Sequence, residues 1–458
     1  MSVPYPLFPH HATHPDHLRA LGRWMGVPVA TEGPVRVLEI GGAAGANVLP
    51  MAVRNPDWTV VGVDLAAHEI ARGQRLAEAA GAGNLSLRCA DVSQVDDLGT
   101  FDVIVGHGLL SWVPPAVAEA ILALLGTSLA PGGVAYLSYN VAQGWSHRGR
   151  LRDWLMARVR GIDDEQARVD EARRWLPEAP AEVAALAAEV AQEADAYISQ
   201  DYLATFNEAF HYEELVGRAR GHGLEPLCDA NALSLSLGAP WLPAARAAAE
   251  AVGDDPVARA AWSDAQQGRA FRSTVFARAA DRGPRRGPEG SWLTTELRPV
   301  DGAPVDQPGP TTFAHAWGAR ATIADPNVKG LLGQLASAWP QAVPFAQLAR
   351  SLGGAAEPLV SVLVGSNLVH PRTGPGSAVR LGSTPEVPRD VRILAAEGAT
   401  WAADAHHRGR RLDDRDRALL PLLNGLRSAG SIGDELGWDE ATVTRELTSA
   451  ADRGLRLR

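Results

Sequence analysis

Lysine is nearly missing from this sequence. Among 458 residues with 43 basic side chains, Lys329 is the one lysine and the others are arginines, which reads first as the mark of a GC-rich coding sequence. Cysteine is almost as scarce. Cys89 and Cys228 cannot build a disulfide framework or, alone, a zinc site, and so few thiols fit a reducing, cytoplasmic setting. No run of about 18 apolar residues occurs, and no opening stretch joins a basic segment to an apolar one, so neither a membrane span nor secretion is expected. No close histidine and cysteine pattern has metal-ligand spacing, and no metal is expected; the histidine pairs at 10–11 and 406–407 read as solvated loop residues. A basic excess is absent too. With a net charge of −10 the chain repels a phosphate backbone, so nucleic acid is an unlikely partner.

What is present is a globular composition, 46% hydrophobic and 21% charged, at a length that suggests about three domains. Residues 34–140 alternate short β-branched runs, "VRVLEI", "WTVVGVDL", "LSLRCADV", "FDVIVGHG" and "GGVAYLSYN", with helical stretches, the order of a doubly wound, Rossmann-like parallel sheet. Upstream, "THPDHLRALGRWMG" reads as a helix with proline in its first turn. Alanine-rich helical sequence follows from about 147, then strand-like "LEPLCDANALSLS", then further helices up to "GRAFRSTVFAR", and "AADRGPRRGPEG" punctuates the chain. Beyond about 325 two stretches each show three helices and an extended exit, a winged-helix-like spacing. DNA binding does not follow, because residues 388–458 hold twelve arginines against twelve acids. The expected architecture is α/β: a Rossmann-like domain with its leading helix at 1–150, a helical or α+β middle domain at 151–285, and a mostly helical C-terminal domain of two winged-helix-like units at 286–458.

The chemistry starts at "VLEIGGAAGANVLPMA", residues 37–52, where an apolar strand runs into small residues. Such a turn lets a ligand approach the backbone, and the first N–H groups of the following helix favour anions. Alone it fits NAD, FAD, S-adenosylmethionine or tight packing. Asp64 ends the second strand, where a carboxylate can accept from both ribose hydroxyls. Asp91 ends the third, near the place of an adenine amino group, with Val92 as apolar contact. Acid on both strands and "LAPGG" at 129–133 lean toward S-adenosylmethionine, with Glu39 bracing the turn from below.

These stretches, with "THPDHL" at 13–18, "HGLLSWVP" at 107–114, "SYN" followed by "GW" at 144–145, "DYLATFNEAFHYEEL" at 201–215 and "GRAFRSTVFAR", resemble the class I S-adenosylmethionine-dependent methyltransferases that carry a methyltransferase regulatory domain, the group that includes bacterial protein lysine methyltransferases. The resemblance implies that Gly41, Gly45 and Asn47 border the methionine part of the cofactor, that Asp64 with Leu65 holds the ribose side, that Asp91 and Val92 meet the adenine, and that His107 lies beside the reacting centre. The acceptor side departs from relatives, which carry an aromatic where this chain has Leu110 and "TYPG" where it has "VAQG" at 141–144.

An amine acceptor needs its lone pair. A lysine with pKa near 10.4 is neutral in about one molecule in a thousand at pH 7.4, a cost of roughly 4 kcal/mol, whereas an α-amine near 8 costs under ~1 kcal/mol. Candidates to orient the acceptor and receive its charge are Tyr139, Asn140, Trp112 and His107. Ser111, Trp145, His147, Tyr202, Asn207 and His211 are candidates to contact it, with Phe210 leaning over the same edge. Tyr5, Pro6 and His14 are expected to cover the cofactor. The reading is N-methylation of a protein or peptide, of a kind that could serve a peptide biosynthetic pathway, and scarce lysine would then spare the enzyme its own activity. O-methylation of a carboxylate or small molecule, and a catalytically silent adaptor, are the alternatives.

Overall fold

The computed structural model describes residues 8–95, 97–231, 243–315, 320–376 and 383–455. Tyr5 and Pro6 lie outside the described residues, as do the end of the strand-like 224–236 segment and the final exit at 456–458.

The five expected strands form where the apolar runs lie: β1 (Arg36–Ile40), β2 (Thr59–Asp64), β3 (Leu85–Cys89), β4 (Phe101–Gly106) and β5 (Leu129–Val141). They pair in parallel in the order β3-β2-β1-β4-β5. Runs such as Val37–Ile40 are buried throughout because helices cover both faces of a parallel sheet. The side chains alternate accordingly. Val37, Val60, Val103, Val105, Val134 and Tyr136 pack toward Leu18, Leu21 and Trp24 of α1 (Pro15–Trp24) and toward α2 (Val48–Arg54) and α3 (Ala67–Ala80). Leu38, Ile40, Val61, Ile104, Leu137 and Tyr139 pack toward Ile121, Leu122 and Leu125 of α4 (Pro115–Ser128). α1 begins with Pro15, and the His14 ring accepts from the Asp16 N–H at 3.2 Å.

The sheet continues past the expected boundary at 150. β6 (Ala209–Phe210) pairs with the end of β5; β7 (Leu224–Asp229) and β8 (Phe271–Arg278) complete the sheet, β8 running antiparallel between β5 and β7. A split into domains at 150 and 151 is therefore corrected by the hydrogen bonding: the segment assigned to a middle domain supplies the last strands of the first. Among the described residues of this segment, the stretch between β5 and β6 stands apart. Opened by α5 (Ala142–Arg158), it is helical and has its own core of Leu151, Leu155, Val169, Leu176, Leu186 and Tyr202.

The C-terminal region is mostly helical, with helices Pro326–Ala338, Phe345–Leu352 and Ala356–Gly365 in the first expected unit and Asp414–Leu419, Ala429–Leu436 and Glu440–Asp452 in the second. Its Leu293, Leu331, Leu335, Val343 and Phe345 belong to the same continuous core as α1 and α2, so it is packed onto the sheet's α1 side rather than tethered to it.

Candidate active site

The small-residue turn after β1 uses the conformations that favour glycine: φ is +75° at Gly41 and +72° at Gly45. Gly42 is needed for a different reason. A methyl group there would lie 2.2 Å from Glu39 Oε2 and 2.6 Å from its Cδ, so the turn closes over the Glu39 carboxylate only without a side chain. Glu39 is 3% exposed. Its Oε1 accepts from Asn47 Nδ2 at 2.7 Å, while Oε2 is buried without a partner among the described residues. Burial pushes the Glu39 carboxyl up to about 7. At the end of β2, Asp64 accepts the Ala43 N–H at 2.7 Å and the Ala66 N–H at 2.8 Å, tying the turn to β2. Leu65 beside it is 71% exposed, an apolar surface left open at the sheet's carboxyl edge. Asp91 accepts from the Ser93 N–H and hydroxyl, which hold its carboxyl below the usual range, and Val92 beside it is half-buried.

This arrangement passes a physical test for S-adenosylmethionine. An unsatisfied buried carboxylate suits an ammonium group, a carboxylate at the end of β2 suits ribose hydroxyls, and a turn free of Cβ atoms at its crowded points admits a ligand against the backbone. His107, just past β4, completes this side. Its Nδ1 meets Tyr136 Oη at 2.8 Å and Ser138 Oγ at 3.1 Å, the His10 ring lies 4.3 Å away, and burial lowers its pKa to about 3. It is a neutral imidazole at pH 7.

The acceptor candidates converge around the end of β5. Ser111 Oγ accepts the Asn140 N–H at 2.8 Å, and the Ser111 carbonyl accepts from Glu208 N. Asn140 Nδ2 donates to Asn207 Oδ1 at 3.0 Å, and Asn207 Nδ2 donates to the Asp201 carbonyl at 2.7 Å. Trp112 Nε1 donates to the Gln200 carbonyl, Trp145 packs against Tyr202 at 5.9 Å, and Tyr202 Oη accepts from Arg148 at 2.9 Å. Residues Ile198–Tyr202 form a π-helical turn, an uncommon conformation that recurs at functional sites.

Three candidates fall elsewhere. Tyr139 is fully buried on the opposite face of β5, with its hydroxyl 2.6 Å from Thr274 Oγ1 and its ring edge-on to Phe210, so its expected place beside the acceptor is corrected. The reason is strand periodicity: Tyr136, Ser138 and Asn140 share one face, and Tyr136 is the tyrosine that reaches His107. His147 and His211 are exposed, and among the described residues neither hydrogen-bonds to the convergent group. Phe271, 40% exposed and 6.2 Å from His107, and Phe206, 43% exposed next to Asn207, are exposed aromatic residues that the sequence did not single out.

The histidine pairs are likewise not free in solvent: His10 and His11 are half-buried. His406 and His407 are 4% and 2% exposed, and His10 and His11 sit in a seam with His14, His17, His107 and His370 between the N-terminal segment, the sheet and the C-terminal region. Burial lowers the pKa of every one, His10 and His17 to about 4.

Fold and turn together define a methyltransferase of the Rossmann-like class. Residues 37–133 match the family model "Methyltransferase domain", and residues 194–278 match "Predicted methyltransferase regulatory domain". The chain thus carries both a methyltransferase domain and the regulatory segment, and the latter is the one that builds β6 to β8. Among solved structures, PKMT2 from Rickettsia typhi matches over 99% of this chain and 100% of its own with a TM-score of 0.82 at 20% identity, which shows a common fold. The same protein in complex with AdoHcy matches over 99% of both chains with the same score. Uncharacterized protein RP789 of Rickettsia prowazekii is 32% identical over 52% of this chain, an alignment that spans 45% of that protein's own length. The carboxy-S-adenosyl-L-methionine synthase of Geobacter metallireducens is 32% identical over 28% of this chain and 54% of its own.

Proposed function

We propose that the chain moves a methyl group from S-adenosylmethionine to an amine nitrogen of a protein or peptide, a lysine ε-amine or a terminal α-amine. When bound, the cofactor supplies a methyl group already activated by a sulfonium. On this reading Glu39, Gly41, Gly45 and Asn47 border its methionine part, Asp64 takes the ribose hydroxyls with Leu65 beside it, and Asp91 and Val92 flank the adenine. Neutral His107 lines the reacting centre without placing a second cation beside the sulfonium.

The observation that carries the amine reading is the Asn140–Asn207 pair at the end of β5, joined to the turn that bears Asp201. The carboxamide of Asn140, fixed by Asn207, orients an amine N–H. Burial pushes the Asp201 carboxyl up to about 7 against the pull of Arg148, so it takes up a proton near neutral pH, which an ammonium must lose before it attacks. Trp112, Trp145 and Tyr202 supply aromatic surface for the charge, and Phe206 and Phe271 shield the mouth from water. The likeness to PKMT2, a protein lysine methyltransferase by name, supports a polypeptide acceptor. The test is incubation with labelled S-adenosylmethionine and a peptide library, with the methyl located by mass spectrometry. Label on amine nitrogens is expected; label confined to hydroxyl or carboxylate oxygens contradicts the reading.

A further inference from the structure

We infer that the tip of a C-terminal hairpin, through His407, is a positioning element of the cofactor site. The hairpin consists of strands Trp401–Ala403 and Gly409–Arg411. Its tip is held rigidly. The fully buried Asp404 accepts from the backbone N–H of His406 at 2.8 Å and of Arg408 at 2.9 Å through Oδ1, and from the Arg410 guanidinium through Oδ2. His407 stands on this tip at φ +61°, a backbone conformation that non-glycine residues adopt only where surroundings enforce it.

From there His407 Nε2 reaches Asn47 Oδ1 at 2.8 Å. The same oxygen accepts the His10 backbone N–H at 3.0 Å, which fixes the amide's orientation and makes His407 Nε2 the protonated nitrogen. Asn47 is thereby turned so that Nδ2 donates to Glu39 Oε1, leaving Oε2 under Gly42. The other end of α2 is held by the same region: Arg54 Nη2 donates to Asp390 Oδ2 and to the Ala403 carbonyl, both at 2.8 Å, and Nη1 donates to the Asp404 carbonyl. A segment more than 330 residues away in sequence thus clasps both ends of the helix that follows the glycine turn. The C-terminal region sets the pose of Glu39 and, with it, the affinity for the cofactor.

This rests on the methyl-transfer reading for the identity of the ligand, and the experiment separates the two. The full chain is titrated with S-adenosylhomocysteine by calorimetry, and KM and kcat are measured with labelled S-adenosylmethionine. His407→Ala should weaken the product about tenfold, the size of one lost buried hydrogen bond, and raise KM for the cofactor to match, with kcat within about twofold. His407→Gln, whose amide can donate to Asn47, should restore most of the affinity. His407→Asn, which accepts the positive φ but is too short to reach, should behave as alanine and replaces it if alanine disturbs the hairpin. In an Asn47→Ala background, loss of His407 should cost nothing further. Unchanged affinity in both short variants, or losses that add in the double variant, overturns the positioning role while wild-type binding leaves the methyl-transfer reading intact. A wild-type chain that takes no S-adenosylhomocysteine overturns both.

Discussion

Acidification should open the histidine seam before it unfolds the sheet. Eight imidazoles there have pKa values lowered by burial, with the Arg408, Arg372 and Arg54 guanidinium groups adding to the effect on several of them. A base whose pKa is depressed on folding binds more protons in the unfolded chain, so stability is complete above the unfolded value near 6.5 and declines as pH falls toward the folded value. His10 and His17, folded near 4, and His107, folded near 3, stay neutral in the folded chain at pH 5. Holding each unprotonated at pH 5 costs about 2 kcal/mol, so these three alone amount to roughly 6 kcal/mol, comparable to the whole stability of a domain. The N-terminal segment and the C-terminal hairpin should therefore separate from the sheet between pH 6.5 and 5. Hydrogen exchange read by mass spectrometry at pH-corrected times should show residues 8–17 and 401–411 losing protection first, while β1 to β5 keep theirs. Urea midpoints should fall over the same range. Equal protection and equal midpoints at pH 7.5 and 5.5 would refute the reasoning.

Glu39 makes cofactor binding itself sensitive to pH. Its carboxyl, raised to about 7, is mostly protonated at pH 6, so wild-type affinity for S-adenosylhomocysteine should fall about eightfold from pH 7.5 to 6, and Glu39→Gln should bind weakly and without that slope in a calorimetric titration. Gly42→Ala drives a methyl group into the Glu39 side chain; a folded protein destabilised by about 1–3 kcal/mol in urea melts, with reduced cofactor affinity, is expected. The two tyrosines should separate cleanly. Tyr139→Phe leaves Thr274 without its 2.6 Å partner and should cost about 1 kcal/mol in a melt with KM for the cofactor unchanged, whereas Tyr136→Phe leaves His107 Nδ1 only the longer Ser138 contact and should lower kcat.

The parallel half of the sheet was legible because its signals are local. Continuous β-branched runs mark strands covered on both faces, and the glycine turn with Asp64 marks the crossing from strand to helix. The last strands were not legible as part of the same sheet, because β8 meets β5, and β7 meets β8, across the long helical cap, and nothing near them in sequence says so. The choice of Tyr139 over Tyr136 was decidable in principle: in "VAYLSYN" alternate side chains face opposite ways, and Asn140 shares a face with Tyr136. The histidine seam was hidden for a deeper reason. Each "HH" pair is locally polar, and its withdrawal from solvent arises when the segment 10–17 meets His370 and His407.

Calorimetric titration of the full chain with S-adenosylhomocysteine, alongside NAD, tests the central claim most directly. The account predicts saturable heat with the first that is strongly weakened by Asp64→Ala, and none with the second. Silence with S-adenosylhomocysteine together with saturable uptake of the dinucleotide would contradict it.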